Sequence, residues 1–188
     1  RGGTGSPGKA GLLNGKENNS ISNSVVWANY LTERNWPDSS ETDRNSSPYN
    51  LDEIEVIKQV LKREASICDN RQISPYKGQK SKLIYMLKKE SEVLELKKKL
   101  DIRIDTVDSI QGRDSEVVVF SITRNHGTSY FFSNYKRLNV AFSRAKRKLW
   151  IVGQRKYTDK VYHWENDKKV YMLKKIADSC ANEYFELR

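Results

Sequence analysis

Residues 102–123 read IRIDTVDSIQGRDSEVVVFSIT, and this stretch decides the fold. IRIDTVDS (102–109) alternates apolar and polar residues as a half-buried strand does. EVVVFSIT (116–123) is a continuous β-branched and aromatic run, the signature of a strand covered on both faces. The QG turn lies between them.

Outward from this pair, LDEIEVIKQVLKREAS (51–66) spaces Ile54, Ile57 and Leu61 at helical intervals, with acids early and bases late, as the helix dipole favours. KSKLIYMLKKESEVLELKKKL (80–100) has helical periodicity through Leu83, Leu87, Val93 and Leu96. SVVWANY (24–30) and KLWIVG (148–153) read as strands, YKRLNVAFSRAK (135–146) as a helix, and a last helix is expected near 167–182. Buried strands alternating with helices imply an α/β fold with a mostly parallel sheet in three layers. Such sheets take ligands at the carboxyl ends of their strands, where the polar clusters SPYKGQ, TVDSIQGRD and TRN are expected to fall.

The chain has 188 residues and a formal net charge of +10, enough for one domain of ordinary size. Residues 1–22 are rich in Gly, Ser and Asn and are expected to be a flexible lead-in, with the domain over 23–188. Since residue 1 is Arg, the chain is expected to be a piece of a longer one. Residues 71–100 hold nine basic and three acidic side chains, and residues 136–156 hold eight basic and none acidic. Charge concentrated in this way suggests a polyanionic partner, the other reading being a solvated lysine-rich face. Cys68 and Cys180 have no neighbours at ligand spacing, so neither a disulfide scaffold nor a metal site is expected. No apolar run approaches the roughly 18–20 residues that span a bilayer. No membrane partner is expected, and the location is read as cytoplasmic, with the nucleus equally compatible in a eukaryote.

Gly3, Gly8 and Lys9 match the phosphate-loop spacing, but no strand precedes them and Ala10 stands where a hydroxyl should meet magnesium, so the match reads as coincidence. His126 and His163 are isolated, and no nucleophile elbow or H-E-x-x-H occurs. What remains is a set of cations at turns beside buried strands, among them Arg144, whose guanidinium could stabilise charge on a transferring phosphoryl group.

ISPYKGQ, TVDSIQGRDSEVVVFSITR and KRLNVAFSRAKRKLWIVG, in this order, resemble motifs IV, V and VI of superfamily 1 helicases, most nearly the Upf-like branch. The resemblance covers roughly residues 21–155. It implies the second RecA-like motor domain, with a P-loop NTPase-like fold that lacks its own phosphate loop. ATP and Mg2+ would then sit in a cleft against the first RecA-like domain, which holds them chiefly, while single-stranded DNA or RNA runs across both domains. The isolated chain is expected to be inactive, and movement is expected to run 5′ to 3′.

By the same resemblance Arg144 is the arginine finger on the γ-phosphate, and Lys80 stands where the family often has a second arginine on that phosphate. Lysine lacks the bidentate fork there. Gln79, Gln111 and Gly112 fall in the nucleotide-binding motifs, and Asp114 replaces a Glu facing the sugar. Tyr76 matches an aromatic against the adenine. Ser74 and Thr106 match hydroxyls on the nucleic-acid backbone, Arg124 the arginine that bridges the cleft and the strand, and Asn139 a residue that steadies its helix. SICDNRQIS replaces the apolar strand expected before motif IV. These departures motivate the alternative of a catalytically degenerate, helicase-derived binding or docking module.

Overall fold

The computed structural model describes residues 25–36, 47–64, 69–74, 76–89, 95, 101–110 and 114–187. The lead-in, Cys68, Gln111 and Gly112 lie outside these residues. The strands are β1 (Val25–Tyr30), β2 (Asp69–Ser74), β3 (Asp101–Thr106), β4 (Ser115–Ser121), β5 (Ala145–Val152) and β8 (Ala181–Phe185), in the order β3-β2-β4-β5-β1-β8, with every pairing parallel. A separate antiparallel pair, β6 (His163–Glu165) and β7 (Lys168–Val170), stands apart from this sheet.

Alternation along the buried strands divides their side chains between two cores, because successive residues face opposite ways. Val117, Val119, Trp150 and Val152 join Ile54, Ile57 and Leu61 of α1 (Leu51–Arg63) and Leu83 and Leu87 of α2 (Lys77–Lys89) on one face. Val118, Phe120, Leu149 and Ile151 meet the other face's Phe131 and Phe132 of α3 (Tyr130–Ser133), Leu138 and Ala141 of α4 (Tyr135–Phe142), and Leu173 and Ala177 of α5 (Met172–Ser179). The result is the three-layer α/β arrangement expected of a RecA-like domain.

α1 begins where it should: Asn50 is its N-cap, accepting from the Glu53 amide at 3.0 Å, and Asp52 and Glu53 occupy the first turn. α2 begins three residues earlier than the expected 80 and is described to Lys89. The polar DNRQIS segment is a strand inside the sheet, with β3 on one side and β4 on the other. Two ladders satisfy its backbone groups whatever its residue types, and this overrides its weak strand propensity.

Two expectations need correction. The helix over 135–146 ends at Phe142, and Ala145 already pairs with Ser115, so Arg144 sits in the turn between helix and strand. The helix expected near 167–182 is instead the β7 strand, the eight-residue α5 and the start of β8. Asn166 and Asp167 have φ of 49° and 60°, the two left-handed positions of a two-residue hairpin turn, and these break the helical reading. No helix among the described residues is long and apolar enough to cross a membrane.

Candidate functional site

The expected site residues gather at opposite ends of the sheet. Asp114 precedes β4 and Arg144 precedes β5, and these strands are neighbours, so both residues stand at the amino ends. The Ser115 amide donates to the Arg144 carbonyl at 2.9 Å, locking the two turns together. Above this bond the Arg144 guanidinium donates to Asp114 Oδ1 at 3.0 Å, to the Val140 carbonyl at 3.2 Å and to Ser143 Oγ at 3.2 Å. Arginine has five N–H donors in a fixed fork. Its side chain is 24% exposed, so the group is held in place yet reachable from solvent. This corrects the expectation that every polar cluster lies at the carboxyl ends: residues 107–114 carry the chain back from the top of β3 to the foot of β4. Val107 and Ile110 are buried in the second core along the way and pin that return.

Ser74 and Thr106 end β2 and β3 and stand side by side in register, at the carboxyl edge. Thr106 Oγ1 lies 3.0 Å from Ser109 Oγ, which also accepts from the Thr106 amide at 2.9 Å, so a tight turn fixes the exit from β3. At the same edge Arg124 Nε donates to Tyr76 Oη at 2.8 Å, its guanidinium lies 5.3 Å from the Tyr76 ring centroid, and Tyr76 Oη lies 2.8 Å from Ser129 Oγ. Tyr76 thus joins Arg124 rather than the Arg144 pair.

Lys80 also belongs to this end, with Nζ 3.7 Å from Asp105 Oδ1. Asp105 is level with Ile73, Phe120 and Ile151, so it stands about 20 Å along the strands from Ala145 at ~3.3 Å per residue. β2 and β4 intervene, adding about 14 Å across the sheet at ~4.8 Å per strand. Two side chains cannot close a gap of about 24 Å onto one phosphate oxygen. The expected pairing of Lys80 with Arg144 on a single γ-phosphate therefore fails within this domain.

Gln79 is wholly buried. Its Oε1 accepts from the Asn50 amide at 2.7 Å and its Nε2 donates to Ser121 Oγ at 2.9 Å, which consumes its side chain in the fold. It belongs to a polar cluster that the sequence reading passed over. Glu53 Oε2 accepts from Ser121 Oγ at 2.5 Å and from the Thr123 amide at 2.7 Å, while its Oε1 is 3.4 Å from Tyr30 Oη. Asn50 Nδ2 donates to Tyr30 Oη and to the Thr123 carbonyl, each at 3.0 Å. Burial pushes the Glu53 carboxyl up to about 8, against the smaller downward pull of these donors. Thr123 has φ 70°, a costly conformation for a β-branched residue, and both of its backbone polar groups are held by this cluster. The bend it makes turns the chain out of β4 and delivers Arg124 to Tyr76. Glu53 read in sequence only as a dipole-favouring acid; a mid-chain acid three residues after an Asn cap carries no mark of burial.

Asn139 lies within α4, where its carbonyl accepts from the Ser143 amide at 2.9 Å. His126 Nδ1 lies 2.7 Å from the Trp36 carbonyl, a loop contact. Cys180 Sγ is 2.7 Å from the Ile176 carbonyl, and burial pushes the thiol up to about 11, as befits an inert side chain. Among the described residues no three His, Cys, Asp or Glu gather as a metal site.

The AAA_12 family, an AAA domain, matches residues 10–156. The chain is 34% identical over 122 residues to an uncharacterized ATP-dependent helicase of Methanocaldococcus jannaschii, covering 62% of this chain and 17% of that protein. It is 31% identical over 136 residues to the probable helicase senataxin of Homo sapiens, covering 68% and 5% respectively. Against a Drosophila melanogaster homolog of regulator of nonsense transcripts 1 it is 31% identical over 106 residues, covering 55% and 9%. The chain therefore spans a small fraction of each of these relatives. With a parallel α/β sheet, three motifs along it and this set of relatives, the chain belongs to the AAA_12 family and is a RecA-like domain similar to the second motor domain of Upf-like superfamily 1 helicases.

Proposed function

We propose that the full-length protein is an ATP-dependent helicase in which this domain supplies the arginine finger and part of the single-strand track. The observation that carries this reading is the Arg144 turn, where a partly exposed guanidinium is fixed by Asp114 and by two groups of its own helix end. A preorganised cation of this kind costs no reorganisation as charge develops on a transferring phosphoryl group. The fit to ATP is to its phosphates through Arg144 and to its sugar through Asp114. ATP supplies the phosphoryl group and Mg2+ shields its oxygens. The described residues offer the metal no cluster of acids, so its ligands are assigned to the first RecA-like domain, the proposed partner across the cleft.

At the carboxyl edge, Ser74, Thr106 and Arg124 contact the phosphodiester backbone of single-stranded DNA or RNA, a mode blind to sequence. Tyr76 and Lys80 join this edge in the proposal rather than the nucleotide, a reading supported by the contacts of Tyr76 with Arg124 and of Lys80 with Asp105. Movement of the two domains as the cleft closes and opens steps the strand along.

The test is the ATPase rate of the full-length protein with and without single-stranded DNA or RNA, for the native sequence and for Arg144→Ala. A nucleic-acid-stimulated rate that falls on the order of a thousandfold in the variant supports the finger. A rate indifferent to Arg144 overturns it and leaves a helicase-derived binding module.

A further inference from the structure

The β6–β7 hairpin lies beyond residue 156, outside the stretch that the family matches. It pairs with no strand of the main sheet. Trp164 on β6 stands opposite Lys169 on β7, and Trp164 is 65% exposed. The other three tryptophans, Trp27, Trp36 and Trp150, are at most 1% exposed.

The indole is not a loose end. Tyr162 meets it edge to face, with centroids 5.9 Å apart at 88°, and Tyr171 backs Tyr162 at 5.6 Å. Lys169 Nζ lies 4.4 Å from the Tyr162 centroid and 5.6 Å from that of Trp164. A cation over two aromatic rings and a two-residue turn together stiffen a hairpin that would be marginal alone.

The topology says where this platform points. β8 runs parallel to β1 from Val26 upward, so α5 must return the chain toward the amino edge. The hairpin, which comes between the exit from β5 and α5, is left toward the carboxyl end, the end that bears Ser74, Thr106 and Arg124. The 3-10 helix leading to it (Arg155–Lys160) carries the buried Tyr157, whose ring centroid lies 6.2 Å from that of Phe132 in the second core. Residues 155–175 hold seven basic and three acidic side chains, Lys156, Lys160, Lys168 and Lys169 among them.

We infer that the hairpin is an accessory single-strand clamp, in which an unpaired base of DNA or RNA stacks on Trp164 while Lys168 and Lys169 neutralise the flanking phosphates. Every base has a π-face, so stacking of this kind is indifferent to sequence, and the surrounding cations match the charge of the strand. The inference rests on the strand-binding reading above and extends the track past the motif residues.

Because three of the four tryptophans are sealed in the core, emission that responds to added ligand reports on Trp164. The 188-residue chain is titrated at low salt with fluorescently labelled single-stranded oligonucleotides, following tryptophan emission and label anisotropy together. Inorganic polyphosphate serves as a charge-only probe, and Trp164→Ala is titrated alongside. The inference expects quenching by the oligonucleotide, little by polyphosphate, and an affinity loss of about fivefold to a hundredfold in the variant. Binding seen by anisotropy without quenching, equal quenching by polyphosphate, or a variant that binds like the native chain overturns the clamp and leaves the strand track standing. No binding by either readout overturns the clamp and the strand-binding reading together. Trp164 is an exposed hairpin residue, and a circular dichroism melt of the variant that matches the native chain separates lost contact from lost fold.

Discussion

Glu53→Gln is expected to invert its effect on stability with pH. The native carboxyl is fully buried and pushed up to about 8 from an ordinary 4.5. Between those values the folded chain keeps a proton that the unfolded chain has released. Stability from this group is therefore complete below about pH 4.5, and it is lost as pH rises toward 8. At about 1.4 kcal/mol per unit, the loss amounts to a few kcal/mol, with about 5 kcal/mol as its ceiling. The carboxyl is well supplied with donors even when neutral: Oε2 accepts from Ser121 and Thr123, and Tyr30 Oη, whose own proton burial holds in place, donates to Oε1. Glutamine is neutral and keeps a carbonyl to accept from Ser121 and Thr123, losing only the 3.4 Å contact with Tyr30 Oη, so near pH 5 the variant should lie within about 1.5 kcal/mol of the native chain. Near pH 8.5 it should be the more stable by a few kcal/mol. Urea unfolding at half-unit pH steps for both chains measures the difference directly, since every other titrating group cancels. A difference that stays constant from pH 5 to 8.5 would refute the buried neutral acid.

Other substitutions probe the two ends of the sheet separately. Asp114→Asn should leave stability within about 0.5 kcal/mol, because the carboxylate is half exposed, yet lower the ATPase rate of the full-length protein by less than Arg144→Ala does. Urea unfolding and steady-state kinetics read the two effects. Gly78→Ala should destabilise by about 1–3 kcal/mol, since the new Cβ would stand 2.2 Å from the Ser47 carbonyl oxygen and 2.8 Å from that of Pro48, both backbone atoms with little room to yield. A thermal melt of Gly78→Ala that is unshifted would contradict the close packing of α2 against the 47–48 segment.

Much of this domain is legible in the order of its residues. The Val117–Phe120 run and the Ile54–Ile57–Leu61 stripe mark a buried strand and its covering helix, because local periodicity and burial on one face or both are the same fact. Arg144 and its motif were also visible as residue types and spacing, although the helical reading ran through Arg144 and the turn that holds it between α4 and β5 appears only in the structure. The central place of β2 was not, because ladders on both sides, rather than its polar residue types, hold it in the sheet. Nor was the hairpin, whose Asn166–Asp167 turn was passed over within a helical reading.

The deeper division concerns distance. Sequence order sets Lys80, Tyr76, Asp114 and Arg144 in successive motifs as if around one ligand. Only the parallel register shows that strand ends alternate between two edges: residues entering a strand lie at one edge and residues leaving it at the other, about 20 Å away. Burial of Glu53 is likewise a tertiary outcome, since the groups that meet it from β1 and the β4 exit are remote in sequence and close only once the sheet has formed. Residue types and local spacing determined the elements and the family motifs. The sheet decided which of those motifs share an edge.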